Sequence, residues 1–100
     1  MLYSVRYKRA AAAEIEAAIS RYAQPEINQA FAFVKDLERT ESHLRTQPAL
    51  YQRVEGEIRR AVLRRFPYSF FYLMEQDQVV VLAFMHQHQG PRTREDLIKP

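Results

Sequence analysis

Four arginines stand as two pairs, Arg59–Arg60 and Arg64–Arg65, in the stretch IRRAVLRRFPYSFFY at residues 58–72. A guanidinium is always charged, grips a carboxylate or phosphate as a bidentate fork, and lays its stem over apolar surface. Arg45, Arg53, Arg92 and Arg94 add positive charge in the flanking sequence. The bland reading of some of these residues is an edge strand guarded by charge against aggregation. His86 and His88 lie two apart in FMHQHQGP. A histidine titrating near neutrality can serve as general acid or base, and the bland alternative is a strand-end imidazole bonded to backbone or water. Two histidines at this spacing could begin a metal site, but no third ligand accompanies them, so none is expected. The sequence has no P-loop, GxSxG, HExxH or GxGxxG, and without cysteine it has no thiol nucleophile, disulfide or thiolate metal site.

These residues need elements to position them. Leu2 to Tyr7 alternates weakly and reads as a short strand. The alanine-rich sequence from Ala10 favours helix, with Ala11, Ile15, Ala18, Ile19 and Tyr22 on one stripe and Pro25 as the stop. A second helix is expected from Glu26, with a stripe of Ile27, Ala30, Phe31, Val34 and Leu37 that can extend to Leu44 and leaves Phe33 off it. A short linker predicts an antiparallel hairpin of the two helices. Three strands follow, over Ile58–Leu63, Tyr68–Met74 and Val79–Met85, with Glu75–Gln78 as a hairpin loop. Strict alternation carried through Arg65 puts Arg60 and Arg64 on one face and Arg59 and Arg65 on the other. It also puts Val79, Val81, Ala83 and Met85 opposite Val80, Leu82 and Phe84. The coarse order is β-α-α-β-β-β, an α+β domain with a small antiparallel sheet and a helix hairpin on one face.

The totals fit one domain over residues 1–100. A net charge of +3 and a pI near 9.4 favour an anionic partner, either nucleic acid or an acidic protein surface. No segment is long enough to span a bilayer, and a cytoplasmic protein is expected. The last two strands are apolar on both faces, whereas a helix hairpin covers only one. Either the C-terminal segment or a partner polypeptide must cover the other.

The wording of the second half resembles the RelE/ParE superfamily of toxins from bacterial type II toxin–antitoxin modules. The family pattern is an arginine-bearing strand, RFPY, an aromatic strand ending in tyrosine, a polar turn, an apolar strand and H-x-x-R-x-P. Arg65, Phe66, Pro67, Tyr68 and Tyr72 match its first part, and His86 and Pro91 its end. Ala10, Glu14, Ile15, Tyr22, Phe31, Pro48, Leu50 and Tyr51 match more loosely before that. The chain departs from the pattern at Gln89, where arginine is common, and at Gly90, where an acidic residue often follows. The resemblance implies the same α+β fold and a cognate antitoxin protein bound in a hetero-oligomer, with no cofactor and no membrane. Its wording is nearer the ParE-like branch, which implies binding and poisoning of DNA gyrase without chemistry of its own. The alternative is a RelE-like, ribosome-dependent mRNA endonuclease, for which His86, Arg65 and Tyr72 are the catalytic candidates. A further alternative is an inactive partner-binding member or small nucleic-acid-binding module. Residues expected to meet antitoxin or target are Arg59, Arg60, Arg64, Arg65, Tyr72, Phe84, His86 and His88.

Overall fold

Alanine runs and a well-placed proline shape the first half of the chain. The structure, a computed structural model, describes residues 2–87 and 97–98. Strand β1 (Ser4–Tyr7) leads into α1 (Arg9–Ala23), whose Ala11 and Ala18 are fully buried. Their small side chains let the helix axis approach the sheet closely. The helix ends two residues before Pro25, as the ring's clash with a preceding turn requires. Helix α2 (Ile27–Thr46) follows, then a 3₁₀ turn (Pro48–Leu50) with proline at its start. The strands β2 (Arg53–Glu55), β3 (Ile58–Val62), β4 (Tyr68–Glu75) and β5 (Gln78–His86) complete the fold.

The α+β class and the helix hairpin on one sheet face stand as expected. The sheet itself carries one more strand, the short β2, and has the order β1-β5-β4-β3-β2. It is mixed, because β1 runs parallel to β5 while the remaining pairs are antiparallel. Among the described residues no helix is long and apolar enough to cross a membrane.

Helix α2 is turned differently from the expected stripe. Its buried face is Ala30, Phe33, Asp36, Leu37, Thr40 and Leu44, while Ile27 and Phe31 are 56% and 62% exposed. The core decides the rotation. The Phe33 ring lies 4.7 Å from Tyr22, 5.1 Å from Phe66 and 5.4 Å from Tyr68, centroid to centroid. Each such aromatic pair contributes roughly 0.5–1.5 kcal/mol beyond its buried area. The two polar residues that this rotation buries are both bonded, Thr40 through Oγ1 to the Asp36 carbonyl at 3.0 Å and Asp36 through its carboxylate to the β3–β4 loop.

A bulge corrects the expected alternation along β5. Phe71 pairs with Ala83 and Tyr72 with Val81, so Leu82 is an extra residue. One inserted residue reverses which side chains face the helices beyond it. Val79, Val81 and Phe84 therefore share the helix-side core, and Val80, Leu82, Ala83 and Met85 line the far face.

That far face is capped in its middle by the chain's own tail. Leu97, 4% exposed, packs with Ile58, Val80, Leu82, Ala83 and Met85. Toward β3 the cover thins: Val62 is 50% exposed, and Phe71 and Leu73 are only partly buried. The β4–β5 connection turns at Gln76 and Asp77, with Gln76 at φ 55° in the left-handed region normally given to glycine. Strand β1 stops at Tyr7, and α1 closes the edge of β5 that it leaves. There the Phe84 N–H donates to Glu14 Oε1 at 3.0 Å.

Candidate docking surface and cleft

Strand β3 ends at Val62, and the chain then makes a tight loop through Leu63–Pro67 before β4 begins. The Tyr68 N–H donates to the Phe66 carbonyl at 2.8 Å, an inverse γ-turn about Pro67 that proline's fixed φ suits. Phe66 anchors the loop by packing edge-on against Tyr22 at 5.0 Å and Phe33 at 5.1 Å. The Asp36 carboxylate then accepts three backbone N–H groups, from Arg64 at 3.2 Å, Arg65 at 2.7 Å and Phe66 at 3.1 Å. Arg64 and Arg65 are therefore loop residues, not the strand residues that alternation made them. Both side chains are exposed, as is that of Arg60. None of the three forms an ion pair with a described residue.

Arg60 shares the far sheet face with half-exposed Val62 and pairs across the ladder with Phe71. The result is a cationic rim in which Arg60 borders apolar strand surface and exposed Arg64 and Arg65 follow in the adjoining loop. Arg59 instead serves the scaffold, where its Nη1 donates to the Ala49 carbonyl at 3.1 Å and the Tyr51 carbonyl at 2.5 Å. It ties the 3₁₀ turn to β3. Tyr72 is fully buried and donates its hydroxyl to the Pro48 carbonyl at 2.6 Å. Desolvation raises its phenol pKa, against a lowering influence from Arg59. Phe84 is 1% exposed in the helix-side core. Of the residues expected to meet a partner, Arg59, Tyr72 and Phe84 are thus committed to the fold. His88, Gln89, Gly90 and Pro91 lie outside the described residues.

His86 opens onto a second feature. It pairs directly with Tyr68, and their rings meet edge-to-face at 4.9 Å. Tyr68 stacks in turn on Phe84 at 4.9 Å and accepts Arg21 Nη2 at 2.9 Å. These groups, with Glu14, line a cleft of about 390 Å³ between α1 and the end of the sheet. A guanidinium, an imidazole and a carboxylate in one cleft can bind an anion and move a proton. Tyr72 takes no part, since it lies four residues along β4 from the partner of His86, about 13 Å at strand rise. The three nuclease candidates therefore do not converge as a set. Among the described residues no group of three metal-ligating side chains occurs.

Sequence reasoning missed Asp36, Glu14 as a backbone acceptor, and Arg21. Asp36 carried a readable signal: it follows Phe33 by three residues and precedes Thr40 by four, so it shares their helix face.

The fold and its arginine-bearing loop define a class: a helix hairpin laid on a mixed sheet, with the β3–β4 loop locked to α2. The chain belongs to the family of ParE toxins of type II toxin–antitoxin systems (parDE), whose model matches residues 5–91. Among solved structures, a chain of the chromosomal ParDE toxin–antitoxin system from P. aeruginosa is similar at TM-score 0.72 and 20% identity, covering 85% of this chain and 96% of that one. A chain of the RelBE2 toxin–antitoxin complex from Mycobacterium tuberculosis is similar at TM-score 0.56 and 21% identity, covering 86% and 99%. At these identities the two neighbours show the fold alone. No curated protein matches the chain in sequence.

Proposed function

We propose that this chain is neutralised by a cognate antitoxin and acts as a toxin by binding and stalling DNA gyrase, with no chemistry of its own. Family membership supplies the toxin class, and the two structural neighbours come from toxin–antitoxin systems. The observation that carries the docking part is exposed Arg60 beside Val62 and Phe71, with exposed Arg64 and Arg65 in the loop that follows the strand. These cations lack ion pairs with described residues, and the apolar surface beside them is incompletely covered. Exposed arginine forks near apolar surface suit a chain that carries carboxylates and aliphatic side chains together and desolvates them on docking. The buried, hydrogen-bonded Tyr72 supports a non-catalytic mode over an endonuclease that relies on it.

One observation favours a second reading, cleavage of mRNA on the ribosome. His86, Glu14 and Arg21 share one cleft and could supply acid, base and cation there. Induced expression of the chain alone, and together with the product of the adjacent gene, separates the readings. Growth arrest with DNA breaks, intact mRNA and relief by the neighbouring product is the expected outcome. Cleaved mRNA that disappears in His86→Ala would replace gyrase binding by the nuclease. No arrest under verified expression would mark an inactive member that only binds its partner.

A further inference from the structure

The rotation of α2 creates a surface that the toxin reading does not use. Ile27, Phe31, Val34 and Glu38 follow one another at three- and four-residue steps, so they form one ridge along the outer flank of the helix. At its N-terminal end the ridge shows two large apolar side chains to solvent, Ile27 and Phe31. Toward its C-terminal end it becomes a wall of an open, largely apolar cleft of about 330 Å³ between α1 and α2. Ile15, Val34 and Leu37 supply apolar lining, and Glu16, Glu38 and Glu41 bring carboxylates to it.

The charge here runs against the rest of the molecule. In a chain of net charge +3 this cleft is lined by three carboxylates. Glu41 is already engaged, accepting the Tyr7 hydroxyl and pairing with Arg45 at 3.1 Å. Glu16 and Glu38 are exposed and pair with no described cation. From Ile27 to Glu41 the ridge is about 21 Å long at helical rise, which fits some four turns of a docked helix. Apolar anchors flanked by unpaired acids, at that length, complement an apolar stripe flanked by cations.

We infer that the α1–α2 flank is a docking groove for a basic amphipathic helix of another polypeptide, a partner of chemistry opposite to that suited by the arginine rim. Aliphatic side chains of that helix enter the cleft and cover Phe31, while its lysines or arginines reach Glu16 and Glu38. The surface acts independently of Arg60, Arg64 and Arg65, so it stands or falls apart from the gyrase proposal.

The test titrates the full chain into a fluorescent synthetic helical peptide with leucines on one face and flanking lysines. A twin peptide carries glutamate at every lysine position. The lysine peptide binds at least tenfold more tightly than its twin, and its affinity falls as salt rises. Phe31→Ala weakens it roughly tenfold, as loss of a central anchor does, and Glu38→Lys several-fold, whereas Arg60→Ala leaves it unchanged. All three positions are exposed, so circular dichroism should show each variant folded. Equal binding of the two peptides overturns the inference, as does an affinity indifferent to Phe31→Ala and Glu38→Lys.

Discussion

The loop that presents Arg64 and Arg65 depends on one buried carboxylate, and removing it should be among the costliest single changes outside the aromatic core. Asp36 is 4% exposed and accepts three N–H groups at 2.7–3.2 Å. A hydrogen bond to a charged group contributes about 1.5–3 kcal/mol when its donor is otherwise left dry. The donors here belong to exposed Arg64 and Arg65 and half-buried Phe66, so water recovers part of that loss. About 1–1.5 kcal/mol per bond gives about 3–5 kcal/mol for Asp36→Ala, a large share of the 5–15 kcal/mol typical of a domain. Asp36→Asn keeps one acceptor oxygen but loses the charge and sets an NH₂ among donors, for a loss of about 2 kcal/mol. Urea denaturation reads both changes: at a slope of about 1.5 kcal/mol per molar, Asp36→Ala lowers the midpoint by about 2–3 M. Amide exchange supplies a local readout, because the Arg64, Arg65 and Phe66 protons should lose protection before the strands do. A stability change under about 0.5 kcal/mol, or unchanged protection at those three amides, refutes the clamp.

Other outcomes follow from single contacts. Tyr72→Phe removes the hydroxyl that holds the Pro48 carbonyl and should cost about 1–2 kcal/mol by thermal or urea unfolding. Tyr7 and Tyr72 both have phenol pKa values raised above 10.0, chiefly by desolvation and, for Tyr7, also by its bond to Glu41. A raised folded pKa gives stability that is present below the unfolded value and lost as pH climbs beyond it. Stability should therefore begin to fall near pH 10, and Tyr7→Phe should flatten that fall while phenolate absorbance follows ionisation. Glu14→Ala strips the acceptor from the Phe84 N–H and should cost about 1–2 kcal/mol, whereas Glu14→Gln, which keeps an acceptor oxygen, loses less. Gln76→Gly should raise the unfolding midpoint, by about 0.5–1 kcal/mol in stability, because Gln76 sits at φ 55° where a Cβ is unfavourable.

Much of this fold is readable from local pattern, and what is not readable has a common cause. The alanine helix, its stop before Pro25, and the apolar strands follow from periodicity within a few residues. Helix α2 offers two overlapping stripes that share Ala30 and Leu37, one adding Ile27, Phe31 and Val34 and the other Phe33, Asp36 and Thr40. Only the ring cluster of Tyr22, Phe66 and Tyr68 selects the second. The bulge at Leu82 leaves no local mark, since both faces of β5 are apolar and either register looks equally buried. The sequence assigns Arg59, Arg60, Arg64, Arg65, Tyr72 and Phe84 alike to a partner; Arg60, Arg64 and Arg65 are exposed, whereas the scaffold roles of Arg59, Tyr72 and Phe84 are set by contacts distant in the chain.

Those distant contacts share a logic. Each falls at the end of a strand ladder or at the 3₁₀ turn after α2, where a backbone group needs a partner. Asp36 takes the N–H groups freed where β3 stops, Glu14 takes the Phe84 N–H beyond the reach of β1, Arg59 takes the carbonyls of Ala49 and Tyr51, and Tyr72 takes that of Pro48. A charge run read from sequence therefore divides into two populations. Some of its residues become backbone clamps, and the others stay exposed with no described ion pair. By that division Arg59 belongs to the scaffold. Arg60, Arg64 and Arg65 have no such scaffold role among the described contacts and are the residues that the proposed docking would use, with the backbone of the last two held by the clamp at Asp36.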